Sequence, residues 1–322
     1  MYTVKQYTST YYKAWNKFVS ESKNGTFLFH RDFMEYHADR FTDFSLLVFE
    51  GDNLVALLPA NRVGDAVHSH QGLTYGGLVF KGSIGLEKTE GIFEAVCGYF
   101  NLAGIRVLHI RQCPLFYCKE ACYEIDYLMF KNNARIYRRD MNMAIPLQQG
   151  YRISNSKLKY YGRAKATGMV IIQDNDFDAF WDNVLLPRLA DKHGSKPVHT
   201  KGEINLLHSR FPENILQYNV FYEDEIIAGV TLFKFDTVIK SQYSATTPAG
   251  EKLRALDYLF ISLTEQYKEQ MLYFDRGTVT ENQGKDYKKG LVKQKEELGC
   301  KVFLQDFYEV ETVNFIHLSN VL

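Results

Sequence analysis

The chain has 322 residues, 46% of them hydrophobic, and this length suits two domains of ordinary size. Lysine plus arginine number 38, as do aspartate plus glutamate, and a zero formal charge argues against a dedicated nucleic-acid-binding protein. Five cysteines are too few, and odd in number, for a disulfide framework, and no apolar run is long enough for a membrane span. We therefore expect a cytoplasmic protein.

The first half of the chain predicts two short helices followed by a three-stranded meander. The helices cover 15–21 and 31–40, and the strands cover 45–49, 54–59 and 66–69. Short apolar runs separated by polar turn residues are typical of antiparallel hairpins. A Gly/Thr-rich stretch, a helix at 88–102 and a strand at 106–110 are predicted next.

The second half repeats this order of elements, after a strand predicted at 141–147 and further helices at 154–169, 176–192 and 204–210. Because such a unit cannot occur twice in one small sheet, we predict two related domains, 1–150 and 151–322. A chance resemblance between ordinary β-meanders is the alternative. The repeated elements are strands at 216–222, 226–233 and 238–241, a Gly/Thr-rich stretch at 244–250, a helix at 253–269 and a strand at 271–275.

The loop before the last of these helices is a candidate site for a phosphate-bearing donor. A helix N-terminus offers free backbone N–H groups and the positive end of the helix dipole, and two nearby cations add charge. The alternative is that a threonine of this loop only caps the helix. The candidate donor-binding residues are Ser244, Ala245, Thr246, Thr247, Gly250, Lys252 and Arg254.

Two acidic residues are candidates for a catalytic base. Asp275 ends a predicted strand and Glu281 follows in a Gly-containing loop, so either carboxylate could accept the proton of an attacking amine. The structural alternative is that Asp275 hydrogen-bonds the backbone of its own turn. The lysines that come next, between Lys285 and Lys295, are typical of a solvated helix face, although such a run could also meet phosphate or RNA.

Histidines and cysteines of the first half do not form a recognisable metal motif. His68 and His70 point to one face of a strand, but no third ligand is close in sequence. The spacing of His109, Cys113, Cys118 and Cys122 fits none of the usual zinc patterns, so we expect no metal site. The sequence also lacks a nucleophile elbow, a Walker loop and a dinucleotide fingerprint.

Two segments carry a resemblance to a known family. The first is 70–77 (HQGLTYGG), after the strand end Pro59-Ala60; the second runs from 273–277 (YFDRG) through 281–284 (ENQG) to 290–299 (GLVKQKEELG). Together they resemble FemAB-like proteins across roughly residues 10 to 310. The resemblance implies an α/β (α+β) fold of two tandem GNAT-like domains, each a mixed, mostly antiparallel sheet flanked by helices.

The resemblance also implies an N-acyltransferase. The donor would be acyl-CoA (acetyl-CoA) or aminoacyl-tRNA, with tRNA less favoured because the chain is neutral and lacks a long helical arm. The acceptor would be an amine on a small molecule or a cell-envelope sugar or peptide precursor. A binding protein that keeps the fold without catalysis, or an RNA-binding accessory, are the alternatives. The candidate substrate-binding residues are His70, Tyr75, Gly76, Tyr243, Asn282 and Lys288.

Overall fold

The computed structural model describes residues 1–82, 84–193 and 196–318, and the chain divides into two compact units. This division differs from a single boundary near residue 150. Residues 141–150 lie in the second unit because 141–146 include the antiparallel partners of its strand 273–278, and 304–311 lie in the first because they include the partners of 107–111. The first unit contains Met1–Asp140, Asn282–Lys285 and the chain from Leu304, and the second contains Met141–Glu281 and Asp286–Phe303.

Seventeen strands are present in the described residues. In chain order they are β1 (Tyr2–Gln6), β2 (Thr42–Asp43), β3 (Leu46–Glu50), β4 (Asn53–Leu58), β5 (Asn61–Val63), β6 (Ala66–His68), β7 (Val79–Phe80), β8 (Val107–Arg111), β9 (Arg135–Pro146), β10 (Val170–Ile172), β11 (Ile215–Tyr222), β12 (Glu225–Lys234), β13 (Val238–Thr246), β14 (Tyr273–Thr278), β15 (Thr280–Glu281), β16 (Asp286–Tyr287) and β17 (Lys301–Glu311).

Eleven α-helices lie between these strands in the same described ranges. A π-helical turn, Trp181–Leu185, joins the sixth to the seventh. The helices are α1 (Tyr12–Ser20), α2 (Arg31–Met34), α3 (Leu86–Leu102), α4 (Glu124–Lys131), α5 (Asn155–Lys165), α6 (Phe177–Phe180), α7 (Leu186–His193), α8 (Lys201–Arg210), α9 (Pro248–Lys252), α10 (Ala255–Tyr267) and α11 (Lys289–Glu297).

In the first unit, β1, β3, β4 and β7 are neighbours in one antiparallel sheet. In the chain, β2 precedes β3 and β5 follows β4, and β2 and β5 pair with each other. Between the β3–β4 pairing and the β2–β5 pairing, the Phe44 N–H donates to the Ala60 carbonyl at 2.9 Å. Beyond β5 the order is β6, β8, β17 and β9. The pairs β5–β6 and β8–β17 are antiparallel, whereas β6 and β8 are parallel.

In the second unit, the strand order is β10, β11, β12, β13, β14 and the second half of β9. The pairings are again antiparallel except for one, β13 with β14. In each unit an antiparallel meander is therefore followed by a parallel pair, β6 with β8 in the first and β13 with β14 in the second. This confirms the predicted fold class, a mixed and mostly antiparallel sheet with helices, present twice.

Each unit has its own hydrophobic core between its sheet and its longest helix. In the first, Phe93 and Phe100 of α3 are fully buried in a cluster with apolar residues of β3 and β4. In the second, Leu259 and Leu263 of α10 lie in a cluster with Phe274 of β14. Among the described residues, every helix is too short or too polar to cross a bilayer.

One predicted helix, 253–269, is interrupted at its start. Pro248 opens the short helix α9, and α10 begins only after Arg254, whose φ of 61° is left-handed. A left-handed residue cannot continue a right-handed helix, so the chain turns here. This turn changes which side chains of the donor loop lie next to one another.

Candidate functional site

The second unit opens where β13 and β14 separate. The two strands are in parallel register for three residues, ending at the pair Lys240 and Asp275. Beyond this pair β13 continues to Thr246 in register with β12 alone. The sheet is therefore splayed at this point, and one edge of β13 faces a gap.

The direction of the β13 amides follows from the ladder. The Thr247 N–H donates to the Ile227 carbonyl on the β12 side at 2.9 Å. Because hydrogen-bonded and non-bonded pairs alternate in an antiparallel ladder, Ala245 also faces β12, whereas the N–H groups of Ser244 and Thr246 point away from it. Two backbone donors are thus directed into the gap.

A cavity of about 300 Å³ lies at the end of β13, and we call it the second-unit cavity. It is bordered by β13, α9 and the start of α10, with side chains from α5, α7 and α11. The lining residues are Lys157, Arg188, Thr246, Gly250, Glu251, Arg254, Leu256, Asp257 and Gln294.

Two of the three cations in this cavity are already paired. Lys157 Nζ lies 2.7 Å from Asp257 Oδ1, with both side chains less than a tenth exposed. Arg188 Nη2 lies 2.7 Å from Glu251 Oε2. Arg254 has no such carboxylate among the described residues, and its guanidinium lies over the Tyr160 ring, 4.7 Å from the centroid. The cavity therefore presents one uncompensated positive charge.

The predicted donor residues divide into two groups. Thr246, Gly250 and Arg254 line the cavity, whereas Lys252 is exposed outside its lining. Thr247 is the N-cap of α9 and accepts the Gly250 N–H at 3.1 Å, which is the capping role that the sequence offered as the alternative. A helix of five residues is too short for a dipole argument of its own, so the cavity rather than the helix end defines this site.

Glycine is required at position 250. A Cβ there would overlap the Ile227 carbonyl oxygen and the Thr246 hydroxyl. The close approach keeps α9 against the end of β12 and holds the cavity wall in place.

The two candidate bases lie in different surroundings. Asp275 is buried at the point where β13 and β14 part, and its Oδ1 accepts the Gly277 N–H at 2.7 Å. Glu281 lies in the exposed hairpin of β15 and β16, where its Oε1 is 2.6 Å from Lys288 Nζ. Of the two carboxylates, only Asp275 stands at the splay.

Four of the predicted substrate-binding residues lie away from the cavity walls. Tyr75 is fully buried, with ring contacts to Phe29 and Tyr117, and belongs to the core rather than to a groove wall. Asn282 is exposed, and Lys288 is held by its ion pair. The Tyr243 hydroxyl accepts the His199 N–H at 3.1 Å, and burial raises the pKa of Tyr243 to about 12.

Of the remaining two, His70 and Gly76, only His70 lines a second cavity of about 300 Å³, which we call the first-unit cavity because its lining belongs to that unit. His70 is part of the lining, and burial lowers the pKa of its imidazole to about 3. Gly76 approaches Ser69 so closely that a Cβ would overlap the Ser69 carbonyl oxygen. Within the described ranges, no group of three or more His, Cys, Asp or Glu side chains is arranged to hold a metal ion.

The lysine run from Lys285 to Lys295 was predicted to be a solvated helix face, and for its last member this prediction is wrong. Lys295 is 6% exposed, and its Nζ donates to the carbonyls of Gly277 and Thr278 at 2.9 and 3.2 Å. Burial, with the Arg276 charge nearby, lowers the pKa of Lys295 to about 8. The sequence feature that could have indicated its burial is its position on the apolar stripe of α11, four residues after Leu291 and three before Leu298.

No family model matches the sequence, and no curated protein matches it. Among solved structures, the chain is similar to FemX, at 9% identity over 98% of this chain and 99% of that one, with a TM-score of 0.67. It is also similar to a tandem GNAT protein from the clavulanic acid biosynthesis pathway, at 8% identity over 97% and 99%, with a TM-score of 0.53. L-PGS from Bacillus licheniformis is 14% identical over 85% and 87%, with a TM-score of 0.55.

These similarities extend over most of each chain and agree with the meander and parallel pair found in each of the two units. At such identities the likeness is one of fold. The chain therefore has the FemAB-like tandem GNAT fold.

Proposed function

We propose that the protein is an N-acyltransferase whose acyl donor binds at the splay and cavity of the second unit. The observation that carries this proposal is the separation of β13 from β14, which directs the N–H groups of Ser244 and Thr246 into a gap beside the cavity. Fixed backbone donors of this kind can bind an extended donor chain or stabilise the oxyanion that forms when a carbonyl is attacked.

The charge of the cavity supports a phosphate-bearing donor. Arg254 has no carboxylate partner in the part of the chain that the structure describes, so its guanidinium is free to meet a phosphate, as arginine does in many sites. Acyl-CoA is the donor we favour, because one free cation and a cavity of about 300 Å³ suit a small phosphorylated carrier better than a tRNA body. Aminoacyl-tRNA is the second candidate, in keeping with the similarity to FemX.

The reaction that we propose is direct attack of a neutral amine on the donor carbonyl. An amide C–N bond forms, and the bond from the carbonyl carbon to the donor's thioester sulfur or ester oxygen breaks, releasing CoA or tRNA. Asp275, buried at the splay, is the candidate that accepts the amine proton, and Lys295 is the buried cation beside the same turn. Glu281 is a weaker candidate because its carboxylate is exposed and paired with Lys288.

The acceptor that we propose is an amine on a cell-envelope precursor, made in the cytoplasm, with the first unit contributing to its binding. Similarity in fold to FemX, and to a structure described as a putative lysylphosphatidylglycerol synthetase domain (12% identity, TM-score 0.52), supports aminoacyl or acyl transfer as the class of reaction. The rival is a binding protein without catalysis, and the hydrogen bond from Gly277 to Asp275 favours it, since that bond gives the carboxylate a structural role.

Isothermal titration of the full chain with acetyl-CoA tests the donor site. We expect binding that weakens about tenfold in Arg254→Ala, the loss of one charged contact to phosphate. Lys268→Ala, at the far end of α10 where Lys268 pairs with Glu265, is the matched control and should bind as the wild type does. Lys252→Ala tests the other predicted cation of the loop, and we expect it to weaken acetyl-CoA binding less than Arg254→Ala does.

The outcome decides between the candidates. Binding with transfer to an added amine supports the enzyme, and binding without transfer to any amine supports the rival. If acetyl-CoA does not bind but a charged tRNA does, the donor is aminoacyl-tRNA. An affinity for acetyl-CoA that is the same in Arg254→Ala as in the wild type contradicts the donor site proposed here.

A further inference from the structure

The first unit contains a splay equivalent to that of the second. Its parallel strands β6 and β8 are in register for three residues, ending at the pair His68 and His109. The chain then turns away at His70, whose φ is 67°, and returns at Gly76, whose N–H donates to the Arg111 carbonyl at 2.7 Å. The excursion between these points leaves the first-unit cavity beside β8.

The lining of this cavity is aromatic and basic. The His68 and His109 rings stack with centroids 4.6 Å apart, and His109 meets the Tyr137 ring edge-on at 5.5 Å. Burial lowers the pKa of His68 to about 4 and also lowers that of His109, so both imidazoles are neutral near pH 7. None of the lining residues is acidic; they are His68, Ser69, His70, Gln71, His109, Arg111 and Tyr137.

Arg111 supplies the only formal charge of that lining at neutral pH. Its Nη1 donates to the carbonyls of Leu73 and Thr74 at 2.8 and 3.4 Å, and its guanidinium lies 5.1 Å from the Phe307 ring centroid. Among the described residues it forms no ion pair, since the acid nearby, Asp140, is held by Arg138 at 2.6 Å. A partly buried guanidinium without a counter-ion is energetically unfavourable, and a bound anion would compensate its charge.

Gln71 and Arg111 both have hydrogen-bond donors in the lining that their contacts with neighbouring residues do not use. Gln71 Oε1 accepts from Asn61 Nδ2 at 2.9 Å, and the Gln71 N–H donates to Asn61 Oδ1 at 2.8 Å. This arrangement leaves the Gln71 side-chain NH₂ as a donor for another group. The two carbonyl contacts of Arg111 involve Nη1 only, so the edge of the guanidinium formed by Nε and Nη2 can also donate to another group.

We propose that the first-unit cavity binds an oxyanion, a carboxylate or phosphate group of a ligand, through the Nε and Nη2 edge of Arg111 and the side-chain NH₂ of Gln71. Arginine receives such groups in a two-bonded fork, and the cavity of about 300 Å³ has room for the group and a small attached ring against the histidines. The site lies wholly in the first unit, and the proposal does not depend on whether the protein catalyses acyl transfer.

Isothermal titration of the full chain with inorganic phosphate, and separately with acetate, at constant ionic strength tests this site. We expect at least one of the two probes to bind in the wild type and to bind at least tenfold more weakly in Arg111→Gln. Arg106→Gln is the control, because Arg106 belongs to the same unit but is exposed, pairs with Asp65 and lies outside the cavity lining. It should bind as the wild type does.

A second measurement keeps the test valid if Arg111→Gln does not fold. Phenylglyoxal modifies accessible guanidinium groups, and peptide mass spectrometry reports the extent at each arginine of the wild-type chain. The bound probe should protect Arg111 several-fold relative to chloride and leave the exposed Arg106 unprotected. Protection by phosphate alone identifies a phosphate ligand, and protection by acetate as well supports a carboxylate. No binding of either probe, or equal binding by Arg111→Gln and the wild type, overturns the proposal.

Discussion

The buried lysine of the second unit makes a prediction about stability and pH. Lys295 has a pKa lowered by burial to about 8, whereas its ordinary value in the unfolded chain is 10.5. Below pH 8 both states carry the proton, and the folded state bears the full penalty of burying the charge. Between pH 8 and 10.5 the unfolded state binds more protons, so the free energy of unfolding rises with pH.

The size of this effect follows from the two pKa values. The fall from 10.5 to about 8 corresponds to about 3.4 kcal/mol over the whole window. By pH 9.5, before most tyrosines ionise, about 2 kcal/mol of this gain is present. Lys295→Met removes the titrating group and keeps the apolar stem on the stripe of α11, so the variant lacks this part of the pH dependence.

The assay is urea unfolding between pH 7.5 and 9.5. The chain has two tryptophans, Trp15 in the first unit and Trp181 in the second. In a Trp15→Phe background, the fluorescence of Trp181 reports the second unit alone. Lys293→Met, which removes an exposed lysine of the same helix, is the control and should follow the wild type.

The comparison between wild type and Lys295→Met carries the test. We expect the difference in their free energies of unfolding to change by about 2 kcal/mol from pH 7.5 to 9.5, in favour of the wild type at the higher pH. A difference that stays constant across this range would refute the assignment of Lys295 as a buried lysine with a lowered pKa.

Three further predictions concern the two cavities. In urea unfolding, Lys157→Met should lower the free energy of unfolding by about 3 kcal/mol, because Asp257 is left buried without a counter-ion. The double variant Lys157→Met/Asp257→Leu should recover most of this loss. A single variant as stable as the wild type would contradict the pairing. Gly250→Ala should cost about 2 kcal/mol or more in the same assay and weaken acetyl-CoA binding, because its Cβ overlaps the Ile227 carbonyl oxygen. In NMR spectra, the His68 ring signals should not shift between pH 6 and 8, given a pKa of about 4; a midpoint near 6.5 would show that the ring is not buried against its neighbour.

The local features of this protein could be predicted from its sequence. Alternating apolar runs between polar turns indicated both meanders, and the structure has strands at each of them. The apolar stripe of α10 was also recognisable, since Leu259, Phe260 and Leu263 are buried. These signals are local because strand and helix periodicity is set by backbone geometry over a few residues.

The tertiary structure decided which residues meet. No local pattern indicates that 304–311 pair with the first unit, because that pairing depends on strands nearly 200 residues away. The same holds for Tyr75, whose buried position depends on Phe29 and Tyr117, and for Arg254, whose left-handed backbone turns its side chain towards Tyr160.

Charge compensation, finally, was decided only in three dimensions. In the sequence, Lys157, Arg188 and Arg254 are equivalent cations, and Arg111 is one of many arginines. The fold pairs the first two with Asp257 and Glu251 and leaves Arg254 and Arg111 without carboxylates among the described residues. Because an ion pair depends on distances between side chains far apart in the chain, the two unpaired guanidinium groups, and the ligand sites that we propose around them, become visible only in the folded protein.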